Sequence, residues 1–382
     1  MADTSIASTE IHGSCRKGFE GVREVFAANF STPGEVGASA AVIWKGEPVV
    51  DLWAGHADAA GAKHWQRDTL ANVWSTTKGM GALVCGMLVE RGLMSYEDKV
   101  SKHWPEFAAE GKGDITVGQM LSHQAGLCGP SVPTTAEEIC NHALMAERLA
   151  AQAPLWTPGS RSGYHALTVG ILAGELVRRV SGKTIGTFFR EEVAEPFDVD
   201  FFIGLPASED GRVAEMIPAK TSNMPDPSTL NASQMLALGN PAPDARVPNE
   251  RFWRGAELSS ANGQGTASAI ARVYGALATD GMIDGKRLVK PETIRAMTKL
   301  QIEGHDEVLA MPARWGAGYI LNVGGLYGPN DEAFGHSGWG GSFGMADPKT
   351  GLGIAYVMNQ MGPDLAGDAR ANAIIAAVYA SL

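Results

Sequence analysis

The feature that most restricts this chain is a change of pattern along it. Residues 38–44 and 48–53 are β-type runs separated by Lys45-Gly46-Glu47, a hairpin signal. Runs of that type return only in the last hundred residues, at 316–323, 332–336, 342–346 and 352–358. Asp347-Pro348-Lys349-Thr350-Gly351 reads as a tight turn between the last two. Between these groups, residues 95 to 285 carry helical spacing. A lone hairpin is marginal in water. The two ends are therefore expected to share one antiparallel sheet flanked by helices, an α/β (α+β) fold with an inserted helical part. The division expected is 1–95 and 286–382 for the sheet domain and 96–285 for the helical domain.

Helices are expected at 17–29, 117–122, 136–152, 166–180, 184–193 (stopped by Pro196), 267–279, 291–300 and 369–382. Residues 206–250 contain seven prolines and little periodicity. A loop that long in a compact protein is disordered or wrapped over a site; the expectation is an ordered cover over the cleft.

The chain is 45% hydrophobic and 19% charged, enough for a sizeable core. Its formal net charge of -11 and lack of a dense Lys/Arg run argue against nucleic acid or an anionic membrane as partner. Residues 1–14 are polar, without the apolar segment of a secretory leader, and no transmembrane run is visible. Cys15, Cys85, Cys128 and Cys140 form no CxxC pair, which suits a reduced, cytoplasmic protein.

Three segments could carry chemistry. Ser75-Thr76-Thr77-Lys78 opens a helix expected to run to about Arg91. The spacing puts hydroxyl and amine one turn apart on one face. The bland reading is a helix cap followed by a solvated lysine. Against it, the positive end of the helix dipole disfavours a first-turn lysine and depresses its pKa, as a lysine base requires. Ser162-Gly163-Tyr164-His165-Ala166 places Tyr164 on a turn before a strong helix. It reads as a loop anchor, or as a second acid/base group whose phenol a neighbouring ammonium would make easier to ionise. Gly335-His336-Ser337-Gly338-Trp339-Gly340-Gly341-Ser342 is a glycine-rich β-type run. It reads as a bulged hairpin, or as a strand offering a backbone N–H to a developing oxyanion.

The order Ser-x-x-Lys, Tyr, then His-Ser-Gly resembles the serine β-lactamase and penicillin-binding-protein superfamily, and most of all its class C-like members, the family VIII carboxylesterases. Leu121–Leu127, the Trp156-Thr157-Pro158-Gly159 approach to Tyr164, Gly182-Lys183-Thr184 with Pro196-Phe197, and Gly335–Gly341 are similar to further family segments, so the resemblance covers about residues 20 to 380. It implies Ser75 as acyl-accepting nucleophile, Lys78 as its activator and Tyr164 as a proton shuttle, with the true base left open between the last two. It further implies an oxyanion hole from the Ser75 and Trp339 backbone N–H groups, and His336, Gly338 and Trp339 at the substrate cleft.

Three departures favour esters over lactams, one of them the absent secretory leader, since β-lactamases and cell-wall peptidases work outside the cytoplasm. Ala166 stands where the β-lactamases have asparagine, and His336 replaces the lysine that would hold a penicillin carboxylate. The expected function is a serine hydrolase of small, short-acyl carboxylic esters, without cofactor or metal. An acyltransferase is the first alternative and a β-lactamase or D-alanyl peptidase the next. A non-catalytic binding relative would be expected to have lost Ser75, Lys78 or Tyr164. No residue pattern speaks to oligomeric state. Gly340-Gly341-Ser342-Phe343-Gly344 matches a nucleophile elbow in letters only, because a β-type run follows where the elbow needs a helix. His123, His165 and His336 lack metal-ligand spacing and read as packing or cleft residues.

Overall fold

The computed structural model describes residues 9–31, 34–223, 226–365 and 367–382. Most of the polar start of the chain, and Thr32-Pro33 of the first expected helix stop, lie outside the described residues.

Both ends of the chain do meet in one antiparallel sheet, of nine strands. They are β1 (Ile11–Cys15), β2 (Gly37–Trp44), β3 (Glu47–Gly55), β4 (Ile302–His305), β5 (Pro312–Trp315), β6 (Ile320–Leu321), β7 (Phe334–Ser337), β8 (Phe343–Asp347) and β9 (Leu352–Met358). In space the order is β1, β3, β2, β9, β8, β7, β6, β5, β4. The join between the two ends is β2 against β9, with Ala41 opposite Ala355.

Six helices frame the sheet and the site: α1 (Glu20–Ala28), α2 (Thr77–Glu90), α3 (Thr168–Ser181), α4 (Ala267–Leu277), α5 (Pro291–Thr298) and α6 (Ala369–Ala380). Strand alternation assigns them to the two faces of β9. Tyr356 points one way, against Phe26 of α1, which α6 accompanies. Gly353 points the other way, so close to α4 that a Cβ there would lie 2.1 Å from the Gly275 nitrogen. Covered on both faces, β9 is buried along its whole length, which is why it reads as a continuous apolar run.

The packing of α4 crosses the expected division of the chain. This helix lies within 96–285, yet it packs on β9, β2 and β8 and belongs with the sheet.

Several local expectations also change. β1 and β4 were not foreseen: they are the two edges, polar and mostly exposed, and an edge strand needs no apolar face. The single run expected at 316–323 is the turn and second strand of a hairpin. Gly318 takes φ +90° there and the Gly316 N–H donates to the Tyr319 carbonyl at 2.9 Å. The helix expected over 136–152 breaks into Ala136–Ile139 and His142–Ala151, because Asn141 Oδ1 accepts the Leu144 N–H and starts a new helix. Pro196 does not stop the helix before it. The chain continues from Ile185–Phe189 through a π-helical turn, Arg190–Ala194, into Glu195–Phe197.

α2 is buried almost all round, in contact with α3, α5, Ile185–Phe189 and β7. A helix without a solvent face is a core element, and its N-terminus is held by everything packed on it.

Candidate active site

Ser75 stands in a single 3₁₀ turn, Trp74–Thr76, immediately before α2. Trp74 has φ +46°, a conformation that costs a bulky residue on the order of 1–3 kcal/mol and persists only where its surroundings enforce it. They do so here. The Val73 N–H donates to the Gly263 carbonyl at 2.9 Å, Ser342 Oγ donates to the Val73 carbonyl at 2.8 Å, and the Gly263 N–H donates to Thr77 Oγ1 at 2.9 Å.

Lys78 Nζ lies 3.0 Å from Ser75 Oγ, as the three-residue spacing requires. It also donates to the carbonyls of Ala166 at 2.7 Å and Ser260 at 2.8 Å. Lys78 is only 5% exposed and pairs with no carboxylate among the described residues. Burial holds its pKa well below the ordinary lysine value. A neutral amine has two N–H groups and one lone pair. With both N–H groups on carbonyls, the lone pair is left for the Ser75 hydroxyl proton.

Tyr164 donates its hydroxyl to Ser75 Oγ at 2.7 Å. Burial pushes its phenol well above the ordinary value. This reverses the expectation that a neighbouring ammonium would ease ionisation. Nζ sits over the ring face, 4.7 Å from its centroid, and the two polar atoms meet through Ser75 Oγ.

The third segment closes on the serine turn through Gly338. A Cβ there would lie 2.3 Å from the Val73 carbonyl oxygen and 2.2 Å from Ser342 Oγ, so a side chain would hold the two segments apart. The next residue, Trp339, brings its ring to 5.0 Å from Trp74. Its N–H meets no acceptor among the described residues, and the Ser75 N–H stands in a first helical turn, where no intrahelical acceptor exists. Arg370 donates to the Gly340 carbonyl at 3.0 Å and fixes the far side of this turn.

His336 is placed differently from expectation. It is 1% exposed and packs behind Tyr164, its ring 6.1 Å from Tyr164 and 6.4 Å from Trp315, off the pocket wall. Burial keeps its pKa below the ordinary value, and Nε2 has no partner among the described residues. His165 donates from Nδ1 to the Gly163 carbonyl and accepts the Leu127 N–H on Nε2, a tautomer consistent with a pKa pushed down by burial to about 4. His123 Nδ1 accepts the His165 N–H. Among the described residues no group of three His, Cys, Asp or Glu could hold a metal. Ser342 is buried in the bonds that hold Val73 and leads into β8, not into a helix.

Ser75 and Tyr164 open onto a pocket of about 730 Å³, continuous with solvent. Its walls include Leu167, Leu238, Pro243, Val247, Trp253 and Trp339. Part of the proline-rich segment thus forms one side of it. Asp244 is the one carboxylate on the wall, and no Lys, Arg or His lines it among the described residues.

Sequence reasoning missed the Ala166 and Ser260 carbonyls, Asp306, Trp315 and Trp253. Main-chain acceptors leave no signature in residue type. Ser259-Ser260-Ala261-Asn262-Gly263 could have been singled out as a Ser/Asn/Gly cluster between helices.

These three segments on this sheet are matched by the family described as Beta-lactamase, over residues 23–378. The chain belongs to the beta-lactamase family. Within it, the "Esterase/beta-lactamase LipL" of Mycobacterium tuberculosis is 39% identical over 373 residues, 93% of this chain and 84% of that protein. A crystal structure of a family VIII carboxylesterase superimposes with a TM-score of 0.93 at 48% identity, covering 98% of this chain and all of the other. A penicillin-binding-protein homolog from Caulobacter crescentus gives 0.93 at 45%, with the same coverage. No helix among the described residues is long and apolar enough to cross a membrane.

Proposed function

We propose that this beta-lactamase-family chain is a carboxylesterase acting through an acyl-enzyme on Ser75. One observation carries the reading: a serine hydroxyl 3.0 Å from a buried lysine amine, which has no carboxylate partner among the described residues, and 2.7 Å from a tyrosine hydroxyl, facing an apolar pocket. The carboxylesterase and esterase relatives support it.

In this mechanism Ser75 Oγ bonds to the ester carbonyl carbon as its proton passes to neutral Lys78. The negative charge on the carbonyl oxygen is met by the N–H groups of Ser75 and Trp339. The alcohol leaves with a proton from Tyr164, which its raised pKa keeps protonated, or from Lys78. Water then attacks the acyl-enzyme and the proton transfers run in reverse. Lys78 and Tyr164 share Ser75 Oγ and titrate as a pair.

The ester class is favoured over lactams by the pocket wall. A penicillin or cephalosporin carboxylate would find no cation there and would meet Asp244. Small, uncharged esters fit this wall, and a cytoplasmic site of action belongs to the same proposal. The test is hydrolysis of a p-nitrophenyl ester series and of a chromogenic cephalosporin by wild type and Ser75→Ala. Ester turnover that survives Ser75→Ala overturns the mechanism; lactam turnover exceeding ester turnover overturns the substrate class. A fluorophosphonate adduct mapped to Ser75 by mass spectrometry is expected.

A further inference from the structure

Asp306 follows edge strand β4 and is fully buried, yet it forms no ion pair among the described residues. Its charge is met by N–H groups alone. Oδ1 accepts those of Val308 and Leu309, each at 3.0 Å, which belong to its own turn. It also accepts the Tyr164 N–H at 2.9 Å, from a segment 142 residues away in sequence. Oδ2 accepts the Trp315 indole N–H at 3.2 Å. The Trp315 ring lies parallel to the Tyr164 ring, 9° between planes and 5.8 Å between centroids. The Glu307 N–H donates to the Ser162 carbonyl at 2.9 Å, so the two turns are tied at a second point.

We infer that Asp306 is a positioning residue for Tyr164: one buried carboxylate fixes both the tyrosine's backbone and the indole against which its ring stacks. A tyrosine side chain has two rotatable angles. With its N–H anchored and its ring face covered, little freedom is left to move the hydroxyl from its place 2.7 Å from Ser75 Oγ. The carboxylate has a second effect: burial is the main cause that raises the Tyr164 pKa, and Asp306 adds to it in the same direction, favouring the protonated, donating phenol. The groups facing Tyr164 from the packed elements are Ser75, Lys78, His123, Asp306, Tyr327 and His336. Of these, Asp306 is the carboxylate, and it acts in the same direction as Tyr327.

The inference rests on the proposed part of Tyr164 in ester hydrolysis, and Tyr164→Phe measured alongside separates the two claims. Asp306→Asn keeps an acceptor on Oδ1 and removes the charge. With p-nitrophenyl esters its kcat is expected to fall by up to about 100-fold while KM stays within about twofold, the scale of loss when a reacting group is misplaced by about 1 Å. The alkaline limb of its kcat profile is expected to move to lower pH, since the charge opposing phenolate is gone. Loosened packing that let water reach the phenol would move the limb too, but with a lowered melting temperature, so the shift counts at a near-native melting temperature. An unchanged kcat, or a lower kcat with an unmoved limb, overturns the inference. If Asp306→Asn does not fold, Trp315→Phe decides: it keeps the stacked ring and removes one N–H from the carboxylate. A lower kcat at unchanged KM and near-native melting temperature supports the inference, and wild-type kcat overturns it. If Tyr164→Phe itself retains full activity, the proposed mechanism fails instead.

Discussion

Behind Ser75, the wall made by Lys78, Tyr164, Trp315 and Asp306 is closed and polar, with its groups tied into hydrogen bonds between 2.7 and 3.2 Å. In front, the wall made by Leu238, Pro243, Val247 and Trp253 is apolar and open to solvent. The rear wall comes from elements packed on α2 and the sheet. Much of the front wall comes from the segment between helix Ala232–Gly239 and Val247–Asn249. The contrast teaches a separation of tasks. Proton positions need groups held to fractions of an ångström, whereas admitting an ester needs only shape and the absence of opposing charge.

Substitutions can break that contrast, starting with the largest effect. Ser75→Ala is expected to lower kcat for p-nitrophenyl esters by a factor on the order of 10⁴ or more, the scale for losing a nucleophile. Lys78→Met comes next, with a comparable loss and a signature in stability. The folded-state pKa of Lys78 lies below its unfolded value of 10.5, so the folded protein binds fewer protons there. Its burial therefore costs most at low pH, and the cost fades as pH rises toward 10.5. The melting temperature of wild type relative to Lys78→Met is expected to rise with pH over that window; a flat difference would mean the amine is not held neutral. In the wild-type profile, kcat/KM is expected to fall on the acid side as Lys78 protonates, well below pH 10.5, and on the alkaline side as Tyr164 ionises, above pH 10. An acid limb near pH 10 would count against neutral Lys78.

Front-wall changes should act through KM and selectivity. Leu238→Ala is expected to shift preference toward longer acyl or alcohol groups by about tenfold per one or two methylenes, with kcat on the best substrate little changed. Asp244→Arg is expected to raise cephalosporin turnover relative to ester turnover. A front-wall variant that changed kcat alone, or a rear-wall variant that changed KM alone, would end the separation. The smallest effect belongs to the joint between the two. Ser342→Ala removes one bond to the Val73 carbonyl and one to Thr76 Oγ1, at 2.8 and 3.1 Å, and is expected to cost about 1–3 kcal/mol by chemical denaturation.

The same contrast explains what could be read from the chain. Apolar spacing announced β2, β3, β8, β9 and the buried helices, because being covered on one or both faces imposes a residue pattern. The edges β1 and β4 carry no such demand and were invisible. Ser75, Lys78 and Tyr164 were singled out because their motifs, in this order, resemble the family; spacing alone left a helix cap and a loop anchor open. His336 sat in a legible motif, but on a strand the choice between pocket wall and core is made by what packs outside it, here Tyr164 and Trp315. The carbonyls that hold Lys78 could not have been read, since any residue supplies one. Asp306 was a single acid in a polar stretch, and its importance lies in a contact across 142 residues.

The register of β2 against β9 also governs how the molecule comes into being. β2 ends at Trp44 and its partner begins at Leu352, so the central seam of the sheet closes between strands some 300 residues apart. During synthesis the hairpin of β2 and β3 leaves the ribosome with one long apolar edge unpaired. At 5–20 residues per second, that edge waits roughly 15–60 s for its partner. An open strand edge is a template for pairing with other chains, so expression conditions that lengthen the wait are expected to favour aggregates over enzyme.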